Sequence, residues 1–147
     1  MAGERRIALL NGPNMSNLGK RDKNIYGTIE SLAALEALVV STGRQFGLAV
    51  EPFHSNDEGG LVDWIDETVG RFDGYVINPG GLWAYGDPTR LALAATGRPV
   101  VEVHFANILK TGGRSVFTES VEGTVMGLRQ FGYLGAIAAL AHKLREA

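Results

Sequence analysis

Arg21 and Tyr26 lie five residues apart in a polar stretch, and Glu102 and His104 lie two apart in an apolar one. A free phenol titrates at about 10. A guanidinium close by favours the phenolate, which makes a tyrosine a usable general base nearer neutrality. On a strand, residues two apart share a face. A carboxylate beside an imidazole fixes its tautomer and suits it to act as a general acid. Asn11, Asn14, Asn56 and Asn78 supply amides able to polarise a substrate oxygen. A base, an acid and oxygen-polarising amides are the equipment for eliminating water from a carbon next to a carbonyl.

The hydrophobic pattern shows what must carry these groups. The apolar run 6–10 reads as a buried strand that spills into a polar loop, 11–27, containing Asn14, Arg21 and Tyr26. Residues 29–46 have helical spacing, with Leu32, Leu35, Leu38 and Val39 on one face and Gly47 as a stop. Residues 48–53 are a second strand, followed by the loop 54–60. A helix is predicted over 61–71, with Leu61, Trp64, Ile65 and Val69 inward. A third strand covers 74–77 and leads into Asn78-Pro-Gly-Gly81. Asp87 reads as the N-cap of a helix to about Ala95, with Pro88 at its first position. A fourth strand spans 99–103, and a long loop, 104–118, contains Lys110, Gly112, Gly113 and Arg114. Residues 124–128 form a short fifth strand and 133–144 an alanine-rich helix.

Strands alternating with helices predict an α/β fold: a three-layer sandwich around a five-stranded parallel sheet. The element count suggests the flavodoxin-like order 2-1-3-4-5. At 147 residues, the whole chain, 1–147, is expected to be one catalytic domain. In open sheets of this kind ligands sit beyond the carboxyl ends of the strands. Asn11, Asn14, Arg21 and Tyr26 follow the first strand here; His54, Ser55 and Asn56 follow the second; Asn78 follows the third. Glu102 and His104, and then Arg114, come at and after the fourth.

Other users of the fold fit poorly. Asparagines stand where a phospho-receiver needs carboxylates, the first loop is a poor flavin-phosphate loop, and no Walker or Gly-x-Gly-x-x-Gly motif is present. The three histidines lack metal-ligand spacing and there is no cysteine, so neither a metal nor another cofactor is expected. A net charge of −2 argues against nucleic acid or anionic membrane as partners. With no apolar signal core or spanning run, the expectation is a cytoplasmic protein.

The motifs together resemble the type II 3-dehydroquinate dehydratases. They are Leu9-Leu-Asn-Gly-Pro-Asn14, Leu18-Gly-Lys-Arg21, Ile25-Tyr26-Gly27, Ser55-Asn56, Asp63-Trp64-Ile65, Ile77-Asn78-Pro-Gly-Gly-Leu82 and Glu102-Val-His104. The resemblance implies a flavodoxin-like fold, a homododecamer built from trimers, and cofactor-free trans-dehydration of 3-dehydroquinate through an enolate. It implies Tyr26 as the base, Arg21 as its activator on a mobile lid, and Asn14 as the holder of an enolate-stabilising water. It implies His104, supported by Glu102, as the acid. Asn78 and Arg114 are implied as substrate contacts, with Phe105 and the residues at 84, 91 and 106 at substrate-binding positions.

The chain departs from that pattern where substrate is recognised. Trp83-Ala84 replaces a Thr-His pair whose histidine contacts the hydroxyl-bearing side of the substrate. Leu91 replaces an aspartate that reaches into the neighbouring subunit. Ala106 replaces a serine of the carboxylate pocket, and the loop before Arg114 is one residue shorter. The catalytic set is complete and the recognition set more apolar. Two enzymatic readings follow: a dehydroquinase with substitute contacts, or a relative that uses the same machinery on a less hydroxylated keto acid. A non-catalytic binding module is the third. Asn78 has a plainer reading as a turn cap, and Trp83 as a packing or interface aromatic.

Overall fold

The computed structural model describes residues 3–147. Its centre is β1 (Arg5–Asn11), in which Ile7, Ala8, Leu9 and Leu10 are all fully buried. A strand apolar on both faces needs a layer on each side. Ile7 and Leu9 face one core, shared with Leu35, Val39, Tyr133, Ile137 and Leu140. Ala8 and Leu10 face the other, with Ile65, Phe72, Tyr75 and Leu93. The remaining strands are β2 (Leu48–His54), β3 (Gly74–Asn78), β4 (Val100–His104) and β5 (Gly123–Met126). All pair in parallel, in the expected order β2-β1-β3-β4-β5. Asn11 is level with both His54 and Asn78, and Ile77 is level with Glu102. The polar strand ends therefore form a row along one edge.

A single helical turn, α1 (Lys23–Tyr26), precedes α2 (Leu32–Gln45), which starts at Ser31, whose hydroxyl accepts from Ala34 N–H at 3.0 Å. α2 packs beside α5 (Phe131–Glu146) on the first core; α3 (Glu58–Glu67) and α4 (Asp87–Ala95) cover the second. Two expectations need correction. α3 begins three residues before the predicted start, because Asp57 accepts from Gly60 N–H. It also ends earlier, at Thr68, whose hydroxyl bonds back to Trp64 O; Val69, expected inward, is 60% exposed. α4 is capped by Gly86 rather than Asp87. Asp87 lies in the first turn and accepts from Arg90, while Glu58 of α3 receives the Thr89 N–H and hydroxyl.

Candidate active site

The stretch 11–27 is not an irregular loop. After Asn11 it forms a 3-10 segment, Met15–Lys20, whose Met15 and Leu18 are buried in the first core, and then α1. Asp22 starts α1 by accepting from Asn24 N–H, and Gly27 ends it. With Met15 and Leu18 anchored, Arg21 and Tyr26 are half-buried, Tyr26 packing against the same core. The Arg21 Nη2 donates to the Tyr26 hydroxyl, and the guanidinium carbon lies 4.1 Å from the centre of the Tyr26 ring. The positive charge thus sits where phenolate charge would develop. The Tyr26 ring in turn packs against Phe105, 5.7 Å between centroids.

β4 delivers Glu102, which is fully buried, and His104, which is 5% exposed. His104 Nε2 lies 2.5 Å from Glu102 Oε2. The same carboxylate accepts from the Ser115 hydroxyl at Oε2 and from the Thr124 hydroxyl at Oε1. Ser115 Oγ also accepts from Phe117 N–H, so its own proton is directed at Glu102. Hydrogen-bond partners thus reach both carboxylate oxygens. With His104 Nε2 engaged by the carboxylate, Nδ1 is the ring nitrogen left for a substrate. Ser115 and Thr124 had no motif to mark them: Ser115 meets Glu102 across 13 residues of loop, and Thr124 meets it from a neighbouring strand 22 residues on.

The floor is set where the loops after β1 and β3 touch. A Cβ on Gly12 would lie 2.2 Å from Pro79 O, and one on Gly80 would lie 2.2 Å from Pro13 O. Only glycine allows backbones so close. Asn14 sits at φ 74, a conformation asparagine tolerates, with its N–H donating to Asn56 Oδ1. Asn56 thus holds the Asn14 backbone; like His54 and Ser55, it does not itself line the cavity. Asn78 is 4% exposed and heavily engaged: Oδ1 accepts from Gly80 N–H, and Nδ2 donates to the buried Tyr133 hydroxyl. Its turn-capping reading therefore holds, and one amide N–H remains for a ligand. Tyr133, unmarked in the sequence except as the first residue of a predicted helix, donates in turn to Asn11 Oδ1. Burial pushes its hydroxyl far above the ordinary tyrosine range, so it remains a donor.

These elements enclose a cavity of about 170 Å³. Asn14, Arg21, Tyr26, Asn78 and His104 form its polar wall; Met15, Trp83, Phe105, Ala106 and Ile108 form its apolar wall. Trp83, whose plainer reading is a packing or interface aromatic, lines the cavity. Three expected substrate-binding positions do not line it within one chain. Ala84 is half-buried, and Leu91 is 57% exposed on α4. Arg114 is exposed and its Nη1 donates to the adjacent Gly113 O.

Fold and site together define an α/β enzyme of the acid–base class, built at the carboxyl edge of a parallel sheet. The sequence model of dehydroquinase class II matches residues 5–141, and the chain belongs to that family. A 3-dehydroquinate dehydratase of Bacillus cereus is 38% identical over 146 residues, covering 97% of this chain and 99% of the relative. The crystal structure of type II dehydroquinase from Propionibacterium acnes superposes with a TM-score of 0.87 at 35% identity, covering 94% of this chain and 97% of that one. That of the Butyrivibrio crossotus type II dehydroquinase gives 0.86 at 34%, covering 93% and 97%.

Proposed function

We propose that this chain is a hydro-lyase that converts 3-dehydroquinate to 3-dehydroshikimate by trans-elimination of water through an enolate. Tyr26, as phenolate beside Arg21, removes the proton next to the ketone. The electron pair moves onto the carbonyl oxygen as the enolate, which a water on Asn14 stabilises. Collapse of the enolate expels the β-hydroxyl, and protonated His104, held by Glu102, gives it the proton with which it leaves as water. The proton taken from carbon then resides on Tyr26 and His104 has lost one, so Tyr26 gives a proton to solvent and His104 takes one up before the next turnover. The observation that carries the reading is that Arg21, Tyr26 and His104 line the same cavity, with Arg21 bonded to Tyr26 and Glu102 bonded to His104. The chain length, motif coverage and continuous sheet support one catalytic domain over 1–147. Shikimate-pathway or quinate-metabolism roles, a homododecamer and a cytoplasmic location come with the family resemblance; sedimentation of the purified protein checks the assembly. No helix among the described residues is long and apolar enough to cross a membrane.

The test is incubation with 3-dehydroquinate while following absorbance of the conjugated enone. A steady rise supports the dehydratase. The apolar wall of Trp83, Phe105, Ala106 and Ile108 favours one second reading, a less hydroxylated keto acid. Burying a substrate hydroxyl against such a wall without a partner costs about 1–3 kcal/mol. No enone, with deuterium exchange into other cyclic keto acids, supports that substrate class. Binding without either reaction leaves a non-catalytic module.

A further inference from the structure

Arg129 adopts φ 55, in the left-handed region. The other non-glycine residue there, among those described, is Asn14. Glycine is the ordinary occupant of such a position, and a long side chain with no local means of stabilising it is costly there. The arginine side chain must therefore supply something that glycine cannot. Its Nη2 donates to Asn24 O at 3.3 Å, across 105 residues of sequence. Asn24 lies in α1, a single turn whose end carbonyls have few partners of their own. A cation at that end satisfies a carbonyl and meets the negative end of the helix dipole.

The backbone of the same segment is tied to the opposite half of the site. Arg129 N–H donates to Phe105 O at 3.2 Å, and Gly127 N–H to His104 O at 3.2 Å. The closing residue of α1 is fitted to this contact. Gly27 is buried at φ 74, and a Cβ there would lie 2.9 Å from Arg129 Cδ. Arg129 does not line the cavity. It joins the turn that carries Tyr26 to the strand end that carries His104.

We propose that Arg129 is a positioning residue that latches α1, and with it Tyr26, onto the His104 end of β4. The kinetic consequence rests on the acid–base reading above; the latch itself does not. Loss of one charged hydrogen bond at an exposed edge corresponds to a change of about five- to tenfold in the open population of the turn.

The experiment is Arg129→Gly in the full chain, read by hydrogen–deuterium exchange over 22–27, by denaturant unfolding and by turnover of 3-dehydroquinate. Glycine suits the backbone, so global stability is expected to hold or rise. Exchange over 22–27 is expected to quicken about five- to tenfold, with kcat and KM altered together, as for a closing element. Arg129→Lys, which keeps a donor without the planar fork, is expected to fall between the two. Unchanged exchange over 22–27, or loosening spread across the whole chain, overturns the latch. If wild-type protein leaves 3-dehydroquinate untouched while Arg129→Gly still loosens 22–27, the latch stands and the dehydratase reading falls.

Discussion

Glu102 occupies a fully buried position and has His104, Ser115 and Thr124 as partners. A buried carboxylate without such partners is costly, so its neighbours are part of the chemistry. Of the two hydroxyl partners, Ser115 is the less replaceable because it bonds the same oxygen as His104. Ser115→Ala is expected to lower kcat about tenfold, the rate equivalent of about 1.4 kcal/mol. Ser115→Thr, which keeps the hydroxyl, is expected to recover most of it; steady-state kinetics of both variants checks this. Unchanged kcat in the alanine variant would remove Ser115 from the account. Glu102 and His104 were legible in the sequence because a spacing of two on a strand fixes a shared face. Ser115 was not, since a loop contact has no period to announce it. Arg114 shows the opposite failure: its charge and motif neighbourhood pointed to the site, yet within one chain its guanidinium turns to Gly113 O.

At the scale of elements, the strand ends are braced from behind. The Tyr133 hydroxyl on α5 links Asn11 of β1 to Asn78 of β3, accepting from one and donating to the other. Tyr133→Phe leaves both amides short of a partner in a fully buried place. The expected cost is about 2 kcal/mol in unfolding free energy, seen as a lower denaturant midpoint, with weaker substrate binding through a loosened Asn78. At the end of β2, burial holds His54 below its usual range, against a hydrogen bond with Asn56 that acts the other way. The unfolded chain therefore takes up this proton first as pH falls. Stability from neutral His54 is full above its unfolded value, 6.5, and is lost as pH drops below that. His54→Asn is expected to flatten the fall in stability between about pH 7 and pH 5; an unchanged slope in urea titrations counts against it. The strands and their order were readable because every strand is a short apolar run followed by a turn signal. Helix edges were less so: Gly86 begins α4 with no side-chain hydrogen bond to mark it, at a place where a Cβ would press on Leu82 and Phe117.

For the molecule as a whole, the sheet order does the essential work: β1 and β4, separated by β3, bring residues some 80 positions apart to the lining of one cavity. The motifs made that convergence readable. The cavity's apolar wall was only half readable: Ala106 was expected there, whereas Trp83 enters through a turn whose direction is set by its own carbonyl accepting from Val116 N–H. The central claim is that Tyr26 and His104 act in separate steps across this cavity. It is tested most directly by following 3-dehydroquinate in deuterated water, recording deuterium exchange next to the ketone alongside enone formation, for wild type, Tyr26→Phe and His104→Ala. Losing a general acid or base costs about a hundred- to ten-thousandfold. The account predicts that Tyr26→Phe loses both exchange and enone by that margin, while His104→Ala loses enone yet still exchanges. Exchange that survives in Tyr26→Phe, or vanishes in His104→Ala while the protein remains folded, would contradict it.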